Sequence, residues 1–138
     1  MNREPVSIRP IGGKQLLCAA GRHTLITDRK AADGGSDAGC TSGELLLLAI
    51  GSCATGSIRN DLLARGLPAE DLGVAVAFAP APPGDARDAI AITVLLPQAV
   101  LDAGAAPVMA AAVAGGVVGR IRLGSVVDVR CEARVARP

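Results

Sequence analysis

This chain of 138 residues has no tryptophan, no tyrosine and a single phenylalanine, Phe78. Stacking platforms for single-stranded nucleic acid are therefore nearly absent. Charge of one sign is lacking too: fourteen basic and thirteen acidic residues almost cancel. No basic stripe points to DNA or RNA, and no charge block points to a solvated tail. There is one histidine, and the four cysteines (Cys18, Cys40, Cys53, Cys131) form no Cys-x-x-Cys pair. That argues against a structural zinc site, and no other metal or cofactor motif is present. Gly34-Gly35 lacks the Gly-Lys-Ser/Thr context of a phosphate loop. No stretch approaches the ~18 apolar residues of a membrane span, and the first residues lack a signal-peptide run. The expected setting is cytoplasmic, with free thiols and no membrane partner.

What is present is aliphatic. Half the residues are hydrophobic, so the core is built from Leu, Val, Ile and Ala. The length suits one domain spanning 1–138. Val6–Ile11, Lys14–Ala19 and His23–Asp28 alternate like strands separated by Gly-containing turns, which predicts a three-stranded meander. Residues 29–42 read as a loop. A long helix follows, with Thr41 or Ser42 as N-cap, Glu44 in its first turn, and Gly66 and Pro68 as the stop after about Arg65. Its first half, Leu45–Ile50, is apolar all round and predicts burial on every side. Asp71–Ala79 and Asp88–Leu96 read as a hairpin pair. Pro97–Arg122 is Ala-rich and helical, with a break expected at Pro107 and weakening at Gly115-Gly116. Val126–Val135 is the last strand. The order βββ-α-ββ-α-β is an α+β domain.

The candidate chemistry lies at residues 39–53, Gly-Cys-Thr-Ser-Gly-Glu-Leu-Leu-Leu-Leu-Ala-Ile-Gly-Ser-Cys. Cys53 sits among Gly51, Ser52, Ala54 and Gly56, which leave room around the sulfur. A reactive thiolate needs a cation or a helix N-terminus nearby. Cys53 is mid-helix, so the cation must come from elsewhere: Arg22, Arg29 or a partner subunit. At ~100° per residue, Glu44 falls about half a turn away from Cys53, while Ser57 and Asn60 come nearer its face. His23 could serve as a base, although a lone histidine at a strand start is more often solvated. Asp33 and Asp37 suit turn formation better than cation binding. Cys18 and Cys131 read as packed strand residues.

The stretch Glu44–Cys53, preceded by Asp33-Gly34-Gly35-Ser36-Asp37-Ala38-Gly39 and followed by Arg65-Gly66-Leu67-Pro68, resembles the OsmC/Ohr family. The likeness is specific over roughly residues 23–78. It implies an antiparallel sheet wrapped around central helices in an intertwined homodimer, with sites at the dimer interface. It also implies thiol-dependent reduction of organic hydroperoxides, with Cys53 as the attacking cysteine and Glu44 as the candidate acid. A second cysteine then closes a disulfide, and an external thiol, a dihydrolipoyl group in characterised members, reopens it. This chain departs from the pattern. The second cysteine falls on Gly116 if Arg120 holds the family's basic position. In the hydroperoxide-reducing branch the acid stands one place earlier, at Gly43 here. Cys40 and Ser42 replace prolines. Cys40 could resolve Cys53 only across the dimer, because thirteen helical residues span ~20 Å. Two readings follow: a thiol peroxidase restored by an external thiol, or a catalytically degenerate relative that binds a small hydrophobic ligand at the dimer interface.

Overall fold

A computed structural model describes residues 4–80, 83–84 and 88–112 in full, and the backbone of 113–114 and 129–135. Gly116, Arg120 and the start of the predicted last strand lie outside the described residues. The chain divides into two compact units, Met1–Leu46 and Leu47–Pro138.

The first unit is the predicted meander: β1 (Ser7–Gly12), β2 (Gln15–Ala20) and β3 (His23–Thr27), all antiparallel in the order β1-β2-β3. Register puts Ile8, Cys18 and Leu25 in one cross-strand row and Arg9, Leu17 and Ile26 in the next. Directly opposed residues share a face, so one face carries an apolar row around Cys18. That row is not covered among the described residues: Ile8 is 56% exposed and Leu25 40%. The loop after β3 contains a 3₁₀ turn, Ala31–Asp33, and returns to β3 through a parallel bridge between Thr27 and Cys40.

The long helix α1 (Ser42–Ala64) begins and ends where its end signals predict. Thr41 is the N-cap. At the other end Gly66 is left-handed (φ 67°). Its N–H donates to the Leu63 carbonyl and that of Leu67 to the Leu62 carbonyl, at 3.1 and 2.9 Å. This reciprocal pair satisfies carbonyls that a helix end otherwise leaves open.

In the second unit α1 buries one stripe at a spacing of four: Ile50, Ala54, Ile58 and Leu62. It packs with alternate residues of the strand β5 (Ala89–Leu96), namely Ile90, Ile92, Val94 and Leu96, and with Val100, Val108 and Ala112. Burying each of the larger side chains contributes ~1.5–3 kcal/mol. β5 pairs antiparallel with β4 (Gly73–Ala79). α1 approaches β4 closely at Gly51, where an added Cβ would stand 3.0 Å from Val76 Cγ2.

Two details differ from the sequence reading. The helical break falls at Gly104 (φ 104°), between α2 (Gln98–Asp102) and α3 (Ala106–Ala114). Pro107 lies in the first turn of α3, where a missing N–H costs nothing. The fold is α+β with antiparallel pairing as expected, except that β5 pairs parallel with β6 (Val129–Val135). A parallel pair cannot be joined by a tight turn and needs a long connection, and α2 and α3 lie in the chain between the two strands. Among the described residues no helix is long and apolar enough to cross a membrane.

Among the described residues the burial on every side expected for Leu45–Ile50 is not reached, and α1 exposes an apolar side chain further along as well. Leu48 is 61% exposed and Leu63 50%, and Ala49 is exposed as well. On β4, Phe78 is 50% exposed.

Gly39 tests the local packing of the loop. A Cβ at this position would lie 2.1 Å from the Ile26 carbonyl oxygen, and backbone rather than a flexible side chain would have to move. Gly39→Ala should therefore destabilise the protein by about 1–3 kcal/mol, in the range of other overpacked sites. Urea denaturation measures this, and an unchanged midpoint would contradict the packing described.

Candidate functional site

Cys53 is a free, half-buried thiol on α1. Its neighbour Ala54 belongs to the buried stripe and is 1% exposed. Ser52 on its other side is exposed, and a Cβ built on Gly56 would meet nothing within 4 Å. Open space at Ser52 and Gly56 thus lies along the same stretch of helix as Cys53. One turn on, Ser57 is half-buried and Asn60 exposed. Among the described residues no side chain hydrogen-bonds to the Cys53 sulfur. The hydroxyl of Thr55 donates to the Gly51 carbonyl at 2.7 Å, which occupies it within the helix. Among the described residues of the second unit, the cation that thiolate chemistry needs is not supplied by an ion pair: Arg65 joins Asp61 at 3.1 Å, four residues apart.

Glu44, the second nominated residue, is committed at the amino-terminal end of α1. Its Oε2 accepts from the Thr41 backbone N–H at 2.7 Å and from the Thr41 hydroxyl at 3.1 Å. In return the Glu44 N–H donates to Thr41 Oγ1 at 3.2 Å. This is a capping box, which satisfies two otherwise open donors. Oε1 stands 3.2 Å from Lys30 Nζ. These contacts, first the Thr41 amide and then Lys30, hold the Glu44 carboxyl below its usual range. The same lysine reaches Asp37 at 3.3 Å, and Glu44 and Asp37 together raise its pKa.

A residue not singled out from the sequence organises the loop ahead of the thiol helix. Asp28 directly follows β3 and is 4% exposed. Its Oδ2 accepts from the Ser36 hydroxyl at 2.7 Å and from the amides of Ser36 and Ala38, both at 3.1 Å. Its Oδ1 accepts from the Arg29 amide at 2.7 Å. The Ser36 hydroxyl leads the causes, followed by the Ala38 amide, that lower the Asp28 pKa to about 2. The available signal was an Asp at a strand end before a Gly/Ser loop, where a carboxylate can gather turn amides. Asp33 and Asp37 serve the loop's geometry, as expected: the Asp33 amide donates to the Lys30 carbonyl at 2.9 Å, and Asp37 holds a positive φ of 55°.

The other nominated groups are placed as follows. His23 opens β3, exposed and opposite Ala20. Arg22 and Arg29 are exposed. Cys40 is a free thiol whose carbonyl accepts from the Asp28 amide at 3.2 Å. Cys131 stands opposite Ile92 in the register of β5 and β6.

No protein-family model matches the chain, and no curated protein does. Solved structures do match in fold. A putative osmotic stress induced and detoxification response protein from Psychrobacter arcticus 273-4 aligns with a TM-score of 0.68 at 14% identity, over 97% of this chain and 98% of that one. An organic hydroperoxide resistance protein OsmC from Legionella pneumophila aligns at 0.65 and 17% identity, over 98% and 100%. A putative organic hydroperoxide resistance protein from Vibrio cholerae, with captopril in one of its active sites, aligns at 0.63 and 15%, over 96% and 93%. The chain thus has the OsmC/Ohr fold along nearly its whole length.

The acid dependence of stability follows from Asp28. Its folded pKa of about 2 lies below the ordinary 3.8, so the stabilisation is complete above pH ~4 and is lost as the pH falls toward 2. Asp28→Asn should be less stable than the parent at pH 7, with the gap closing between pH 4 and 2. Thermal melts across that range measure it. A gap independent of pH would contradict the role of the charge.

Proposed function

We propose that the protein is a thiol peroxidase of the OsmC/Ohr type that reduces small organic hydroperoxides, with Cys53 as the nucleophile. The observation that carries this reading is the free, half-buried Cys53 thiol, next to the buried stripe of α1 and near the exposed Ser52 and Gly56. The fold shared with organic hydroperoxide resistance proteins supports it.

In this reaction the Cys53 thiolate attacks the distal peroxide oxygen. The S–O bond forms as the O–O bond breaks, and the alkoxide leaves and takes a proton to become the alcohol. Sulfur is oxidised to sulfenic acid and the peroxide is reduced. With no cysteine between residues 54 and 130, restoration falls to an external thiol. One thiol condenses with the sulfenic acid, releasing water and leaving a mixed disulfide. A second thiol attacks that disulfide and frees Cys53. Glu44 acts through position, by fixing the start of the helix that carries the thiol.

The protein works in this reading as a cytoplasmic homodimer. The exposed apolar residues of α1 and of the β1-β2-β3 sheet support the second copy. The cation that stabilises the thiolate comes from that assembly. A second reading rests on the lack, among the described residues, of a charged group bonded to Cys53: a degenerate relative that binds a small hydrophobic molecule, for which Cys53 is dispensable.

Intact-mass spectrometry separates the two. The reduced protein is exposed briefly to stoichiometric cumene hydroperoxide with dimedone present. The peroxidase reading predicts one dimedone adduct that disappears in Cys53→Ser. An unmodified mass would overturn it in favour of ligand binding. A loss of two protons without an adduct would overturn external restoration and assign resolution to another cysteine of this chain.

A further inference from the structure

The flank of α1 that holds Cys53 carries more than the thiol. Counting on by four from Cys53 gives Ser57, Asp61 and Arg65, and all four residues are half-buried. They run beside the buried stripe Ala54, Ile58 and Leu62. Residues four apart on a helix are neighbours, with Cβ atoms about 5–6 Å apart. The Cα–Cβ bonds tilt toward the helix amino terminus, so the Ser57 side chain leans over the turn that holds Cys53.

The hydroxyl groups of this stretch differ in what they bond. Thr55 donates to the Gly51 carbonyl, four residues back, at 2.7 Å. Ser57 makes no matching bond to the Cys53 carbonyl, and among the described residues its hydroxyl has no hydrogen-bond partner. Asp61, one turn further on, is joined to Arg65 at 3.1 Å. A half-buried donor and a half-buried thiol thus stand one helical turn apart, and among the described residues neither is bonded to the other or to a third group. The sequence adds a chemical demand. No cysteine lies between residues 54 and 130, so an oxidised Cys53 has to last until an external thiol reaches it.

Resting on the Cys53 chemistry of the proposed function, we propose that Ser57 holds the sulfenic acid of Cys53. The oxygen transferred from the hydroperoxide extends the sulfur by one bond and accepts a hydrogen bond from the Ser57 hydroxyl across the helical turn. Donation draws electron density away from the sulfur. That slows a competing step, in which the sulfenic sulfur attacks the distal oxygen of a second hydroperoxide. A second S–O bond forms, the O–O bond breaks, and the products are a sulfinic acid and a second molecule of alcohol. The sulfinic acid is beyond the reach of an external thiol, so Ser57 regulates how long Cys53 stays on the reversible side of oxidation.

Intact-mass spectrometry of the full-length protein, joined to a crystal structure of its oxidised form, tests the role of Ser57. The reduced protein receives cumene hydroperoxide in excess with no thiol present, and dimedone is added after increasing delays. In the parent the dimedone adduct declines as the sulfinic mass grows. Ser57→Ala keeps α1, because alanine is the stronger helix former. It should still give the adduct at the shortest delay, and should lose it roughly threefold faster, the effect of one hydrogen bond. The crystal structure of the parent, oxidised with one equivalent of hydroperoxide, should place the sulfenic oxygen about 2.6–3.0 Å from Ser57 Oγ. A merely structural serine predicts neither result. Equal decay in the parent and Ser57→Ala, or a sulfenic oxygen turned away from Ser57, would overturn the assignment and leave Cys53 as the nucleophile. No adduct in the parent at any delay would overturn the sulfenic acid chemistry itself, and this inference with it.

Discussion

The structure depends on a helix that is more apolar than the described residues cover. α1 offers hydrophobic side chains around most of its circumference, and the second unit takes only the stripe Ile50, Ala54, Ile58 and Leu62. Leu48 and Leu63 remain in the open. Apolar area left in water contributes nothing to folding, at ~25 cal/mol per Å², and large exposed patches mark interaction surfaces. The meander has the same deficit: among its described residues only Thr27 and Asp28 are buried. A second copy of the chain is the occupant the proposed function assigns to these surfaces. The half-buried position of Cys53, on the flank between the covered stripe and the open side of the helix, follows from the same arrangement.

Polar contacts compensate for the missing apolar core at the start of α1. Asp28 gathers three backbone amides and a hydroxyl, and so fixes the Gly-rich loop without a hydrophobic residue inside it. The reciprocal Thr41–Glu44 contacts then set the first turn. Glycine is required in this loop by close approach: added Cβ atoms at Gly35 and Gly39 would run into the carbonyls of Arg29 and Ile26. The Gly/Asp character that draws attention in the sequence is thus a way of packing backbone against backbone.

Much of the fold was legible because its signals are local. Alternation and glycine turns mark β1, β2 and β3, and Thr41, Gly66 and Pro68 mark the ends of α1. Misread features depend on competition between signals or on distant parts of the chain. Pro107 and Gly104 both interrupt a helix, and only the left-handed turn at Gly104 shows which one does so. The parallel pairing of β6 has no signal in the alternation of the strand's own residues. At the candidate site, Cys53 stands out through its small neighbours. Asp28 does not, because its role lies in amides eight and ten residues ahead. The residue that polarises the thiol has no local signal, since a second copy of the chain supplies it in the proposed assembly.

Sedimentation equilibrium of the reduced, full-length protein tests most directly whether a second copy completes the molecule. The account predicts a single species of twice the 13.8 kDa chain mass, whose unfolding midpoint rises with protein concentration. A 13.8 kDa species that unfolds cooperatively at a concentration-independent midpoint would contradict it.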